Sequence, residues 1–128
     1  MINYEVRYSN HPEDAKQYGT ERLRKEFLVQ GIMKDDEINL VYSMNDRYIV
    51  GGAVPVKKEL SLDTIDPLKA VHFCDRREVG IVNIGGNAVI TVDNTEYNLK
   101  RKEALYIGAG TKDIKMASKD GKNAARLY

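Results

Sequence analysis

His72, Cys74, Arg76, Arg77 and Glu78 fall within seven consecutive positions, the densest grouping in this chain of side chains that could do chemistry. Imidazole, thiolate and carboxylate are all zinc donors, and a catalytic divalent ion needs at least about three well-placed donors and an open position. On an extended backbone residues 72 and 74 share one face. His72, Cys74 and Glu78, joined by Asp113 from further along, then make a mixed donor set. The plainer reading is structural, with Cys74 a small buried hydrophobe and His72 a hydrogen-bonded strand residue. That reading is the stronger one, and no catalytic residue is assigned from these types and spacings, His11 and His72 included.

Arg76-Arg77-Glu78 points to different chemistry. Two guanidinium groups beside a carboxylate at a strand end are costly to bury and suited to gripping an anion, since the planar fork matches a sugar-acid carboxylate. Asp46-Arg47 repeats the pairing earlier in the chain. Arg47, Arg76, Arg77 and Glu78 are therefore candidates for substrate binding, or for an ion-pair network at a subunit or domain contact, and the network is the more economical of the two. Gly85-Gly86 and Gly108-Ala109-Gly110-Thr111-Lys112 lack the Gly-Lys-Ser/Thr order and the following helix of a phosphate loop. They are expected to make sharp corners between strands.

The elements that must position these groups follow from the periodicity. Residues 1–35 are predicted as a helical N-terminal segment: Asn10, Pro12 and Glu13 read as a capping box opening a short helix to about Tyr18, and Gly19 can end it. Thr20 offers a second N-cap, with Leu23, Phe27 and Leu28 as one apolar stripe. From residue 36 the period becomes two, in short runs rich in β-branched and aromatic residues at 38–42, 48–56, 60–62, 71–73, 79–84, 88–92, 97–99, 104–107, 114–117 and 125–128. Asp93-Asn94 sits between two of them like a two-residue hairpin loop, and Asp63 to Pro67 reads as a loop. The expectation is an all-β antiparallel sandwich or barrel over residues 36–128, one domain behind a short helical segment.

Composition narrows the function classes. With 128 residues the chain has the length of one domain with one core. Its 20 Lys and Arg against 19 Asp and Glu leave a formal charge of +1, too little excess positive field to hold a phosphate backbone non-specifically, so nucleic acid is not expected as a partner. No apolar run exceeds four residues, far below the roughly 20 of a membrane helix, so no membrane association is expected. The first residues carry no basic stretch followed by an apolar one, and a single cysteine makes no internal disulfide. A cytoplasmic location is the expectation.

Two resemblances add to this. His72-Phe73-Cys74-Asp75-Arg76-Arg77-Glu78, followed by six residues to Gly85, has the spacing of the first cupin motif, with Cys74 where cupins carry a second His; Gly108 to Asp113 resembles the second motif, with Asp113 in place of its final His. More specifically, residues 42–52, 76–86 and 104–108 resemble the N-terminal half of the 5-keto-4-deoxyuronate isomerase family, also called 4-deoxy-L-threo-5-hexosulose-uronate ketol-isomerases, and Lys25-Glu26-Phe27-Leu28-Val29 resembles that family's helical entry segment. The similarity runs in order along nearly the whole chain. It implies a cupin-type jelly roll forming one half of a hexameric bicupin enzyme of bacterial pectin and uronate catabolism. That enzyme interconverts 5-dehydro-4-deoxy-D-glucuronate and 3-deoxy-D-glycero-2,5-hexodiulosonate.

Such an aldose-to-ketose isomerisation needs a base, an electrophile for the enediolate charge and an acid, and zinc is the electrophile that the resemblance implies. The family's zinc ligands, a His-x-His, a Glu and a later His, belong to the C-terminal half. With only His11 and His72 in the sequence, none transfers to a residue here, and no metal is expected in this chain. The sequence is accordingly read as the N-terminal part of a longer enzyme, inactive alone and partnered by a C-terminal cupin half. The alternatives are a stand-alone, non-catalytic cupin that binds a sugar acid or metal, and a structural assembly domain.

Overall fold

The alternating runs become strands in the computed structural model, which describes residues 2–128. In chain order they are β1 (Ile2–Arg7), helices α1 (Pro12–Ala15) and α2 (Thr20–Phe27), then β2 (Ile38–Ser43), β3 (Tyr48–Ala53), β4 (Leu60–Ser61), β5 (Val79–Val82), β6 (Ala88–Val92), β7 (Thr95–Leu99), β8 (Ala104–Ile107) and β9 (Ile114–Ser118). The architecture is all-β, as expected. One layer is the sheet β4-β9-β6-β7, antiparallel throughout. The other is assembled from two pieces, β1-β2-β3 and β5-β8.

Residues 126–128 join those pieces. Ala53 and Leu127 exchange both backbone hydrogen bonds at 2.9 Å, and Val82 and Tyr128 exchange both at 2.8 Å. The ribbon thus lies antiparallel between β3 and β5, bonded to each edge by alternate residues. The inward positions of both layers form one core: Ile38, Leu40, Ile81, Ile107 and Leu127 from the first face Leu60, Ile90, Leu99, Ile114 and Met116 from the second. Burying each such aliphatic side chain is worth about 1.5–3 kcal/mol.

Several expectations need correction. Residues 2–7 are not part of a helical segment; Ile2, Tyr4 and Val6 alternate on a strand that pairs parallel to β2, Ile2 opposite Ile38. The first helix is capped by His11, not Asn10: the His11 Nδ1 accepts from the Glu13 N–H at 3.1 Å, while the Asn10 amide serves Glu26 and Tyr18 instead. Gly19, not Thr20, is the N-cap of α2. The run 71–73 is no strand. Asp75 Oδ2 takes the N–H groups of both Val71 and His72 at 3.0 and 2.9 Å, which folds the segment into turns before a sheet partner can claim it. The Asp93-Asn94 loop is as expected, both residues holding positive φ (44° and 69°) between the paired Val92 and Thr95, the backbone of a type I′ hairpin.

Candidate functional site

The loop from Val71 to Glu78 is built from within. Phe73 and Cys74 are buried and anchor it in the core, and the Cys74 carbonyl accepts from Gly110 N–H at 2.7 Å. Asp75 closes its outer turn. Arg76 then points back, donating from Nη2 to the carbonyls of Leu68 and Lys69 at 2.7 and 3.2 Å. Because successive side chains diverge, Arg77 goes the other way. Its guanidinium lies 5.6 Å from the Tyr42 ring centre and 6.0 Å from that of Phe73, stacking contacts worth about 0.5–2 kcal/mol each depending on desolvation.

Arg77 and Glu78 reach one wall of a cavity of about 440 Å³ whose opposite wall is Arg47, just before β3, with Tyr48 and Ile49 on β3; Ile38, Leu40, Leu62, Ile81 and Met116 line its apolar interior. Arg47 is placed by the β2–β3 turn, where Asp46 and Arg47 both hold positive φ (58° and 54°). Among the described residues neither Arg47 nor Arg77 is within ion-pair distance of a carboxylate. Glu78 accepts the phenolic hydrogen of Tyr106, directly across from Gly80 on β8. That bond, with the nearby carboxylate charge, holds the Tyr106 hydroxyl above the ordinary tyrosine value of 10.0.

Of the four arginine-cluster candidates the fold therefore brings Arg47, Arg77 and Glu78 to one opening and sends Arg76 elsewhere, into the loop's own carbonyls. Tyr106 was missed by sequence reasoning, and the signal for it was the β5–β8 pairing that sets residue 106 beside residues 78–80. Asn83 was missed as well. It is fully buried; its amide donates to the carbonyls of Gly86 and Leu99 at 2.7 and 2.9 Å, and its Oδ1 accepts from Gly85 and Arg126 at 3.0 and 3.3 Å. Through Arg126 it holds the 126–128 ribbon in place. Gly85-Gly86 serves the same contact: a Cβ on Gly85 would stand 2.5 Å from the Arg126 backbone nitrogen, and one on Gly86 1.8 Å from the Asn123 carbonyl oxygen, so these glycines admit the ribbon's backbone and the segment that leads into it.

The mixed donor set does not assemble. His72 Nδ1 is 3.1 Å from Asp75 Oδ1, and burial pushes the Cys74 thiol above its ordinary value, away from the thiolate that zinc binds. Glu78 is taken by Tyr106, and Asp113 is exposed on the approach to β9, its N–H bonded to Asp93 Oδ1 at 2.9 Å. Among the described residues no three His, Cys, Asp or Glu side chains are grouped to hold a metal ion. The residues present do not fit a zinc. Among the described residues no histidine lines the cavity; the arrangement offers an apolar recess with two cations and a tyrosine–glutamate pair at its rim.

No family model matches the chain. Curated relatives do. A 4-deoxy-L-threo-5-hexosulose-uronate ketol-isomerase of Bacteroides fragilis is 52% identical over 126 residues, 98% of this chain and 45% of the relative. One of Formosa agariphila is 52% identical over 125 residues with the same shares, and one of Bacillus licheniformis 44% over 124 residues, covering 97% and 45%. The chain is homologous to the N-terminal part of the uronate ketol-isomerases. It spans about half the length of these ketol-isomerases, and the resemblance read from the segments at 42–52, 76–86 and 104–108 stands on nearly the whole chain. Among the described residues no helix is long and apolar enough to cross a membrane.

Proposed function

We propose that this chain is the N-terminal half of a uronate ketol-isomerase, a cupin-type jelly roll that supplies packing and assembly contacts while a second cupin half performs the chemistry. The observation that carries this is the coverage, 98% of this chain against 45% of a ketol-isomerase at 52% identity. The whole enzyme would interconvert 5-dehydro-4-deoxy-D-glucuronate and 3-deoxy-D-glycero-2,5-hexodiulosonate in cytoplasmic pectin degradation, as a hexamer. Its zinc would be held outside residues 2–128, in keeping with the scattered donors described above. Arg47 and Arg77, free of carboxylate partners and set on an apolar rim, suit contact with the second half, and Arg76 keeps the loop beneath them in shape.

The test is isomerase assay of the longer protein that continues past Tyr128 beside the chain of residues 1–128. Zinc-dependent turnover is expected in the longer protein and none in the shorter. Turnover by residues 1–128 alone would overturn the proposal. Substituting Arg47 and Arg77 by Leu in the longer protein is expected to weaken assembly with KM unchanged, whereas a raised KM in an intact assembly would make them substrate ligands.

A further inference from the structure

The cavity between β3 and β5 has the form of a missing strand. Residues 126–128 enter it already bonded to both edges, Leu127 to Ala53 on β3 and Tyr128 to Val82 on β5. Backbone groups alternate in direction along a strand, so the groups of Gly51 and Ile49 point the same way as those of Ala53, and the groups of Gly80 the same way as those of Val82. No backbone or side-chain partner for Gly51, Ile49 or Gly80 stands on that side among the described residues. Both edges are thus unpaired, they face each other across an apolar recess of about 440 Å³, and an edge left open in this way is a template for another strand.

We propose that the residues following Tyr128 in the longer protein continue the ribbon as a full strand between β3 and β5, antiparallel to both, closing the first layer into one sheet. This rests on the half-enzyme reading above. The register is set by the bonds already made. The first residue after Tyr128 pairs with Gly51 and the second with Gly80. Leu127 is buried and Tyr128 exposed, so the first and third residues turn inward and fill the recess against Leu40, Leu62 and Met116, while the second turns outward. The continuing chain is favoured over a strand from a second copy because it is in line, in register and tethered at Leu127 and Tyr128, which gives it a high effective concentration. Arg47 and Glu78 then flank the far end of the slot, where the strand leaves toward the second half.

The experiment uses the longer protein. Val50 and the second residue after Tyr128 form a non-hydrogen-bonded pair in this register, with Cα atoms about 4.5 Å apart, inside the disulfide range. Val50→Cys combined with cysteine at that second residue is expected to form an intramolecular disulfide, and cysteine at the third residue, facing the other side, to do so at least about tenfold more slowly. In the unsubstituted protein the amides of Gly51 and Gly80 are expected to exchange at least about 100-fold more slowly than free amides. Exchange at the free rate would overturn the proposal, and a disulfide that links two molecules would assign the slot to a second copy. An active isomerase without the disulfide or the protection would fail the strand and keep the half-enzyme reading; both signals in a protein without isomerase activity would do the reverse.

Discussion

The sheet β4-β9-β6-β7 and the junction of β3 with β5 are made from similar short apolar strands, yet they are held in different ways. In the first, β6 is bonded on both sides, to β7 and β9, and Ala88 and Ile90 are wholly buried. In the second, two pieces of sheet meet only through a three-residue ribbon steadied by one buried amide, and the rim carries cations without carboxylate partners. At the centre of this closed layer β6 has backbone partners on both sides and its apolar inner face is covered within the chain, so its residues have little left to offer a partner. The junction has unpaired edges, an apolar recess and two guanidinium groups without a carboxylate partner among the described residues, features suited to contact with another part of a protein. The same core stabilises both; only at the junction do two unpaired edges face each other across an apolar recess.

The contrast predicts that damage to the closed sheet is global and damage to the junction local. The largest effect is expected for Ile90→Ala, which leaves a void in the sealed layer and costs about 2–5 kcal/mol, read as a lowered midpoint in urea with an unchanged slope. Asn83→Leu comes next. It leaves the carbonyls of Gly86 and Leu99 and the Gly85 and Arg126 N–H groups short of a partner, at about 1–3 kcal/mol. Its signature is early exchange of the amides of residues 126–128, with those of β6 and β9 still protected; uniform loss of protection would show that the junction is no separate unit.

Much of the closed sheet was legible in the sequence, because its strands alternate locally and Asp93-Asn94 demands a particular turn. The junction was legible only in part. β1 was read as helical since its partner β2 lies 36 positions away, and no local pattern announces a parallel pairing. Residues 71–73 carry the apolar spacing of a strand, but Asp75 captures their N–H groups. Arg76 and Arg77 were grouped because they are adjacent, while in an irregular loop adjacent side chains serve different neighbours: one braces carbonyls, the other stacks on Tyr42. The pairing of Glu78 with Tyr106 depends on the β5–β8 register, and the role of Asn83 on a ribbon 43 positions further on.

The smallest effects are expected from pH, and they separate the two regions by sign. Asp93 ties the β6–β7 turn to the start of β9 by accepting from Lys112 and Asp113 N–H at 3.0 and 2.9 Å, and chiefly the Asp113 bond holds its carboxyl below the ordinary 3.8. A depressed carboxylate contributes stability above its unfolded value and loses it as pH falls through the folded one, so this tie loosens only in acid. Tyr106 behaves in the opposite sense. Its folded value is raised above 10.0 by Glu78, so the contact is fully present below that value and is lost as pH rises through the raised one. In a spectroscopic titration one of the eight tyrosines is then expected to ionise later than an ordinary phenol, and Tyr106→Phe to remove that late step alone. Amide shifts of Lys112 and Asp113 should move only at the acid end. A late phenol that survives in Tyr106→Phe would detach the Glu78 contact from the rim and with it the alkaline half of the contrast.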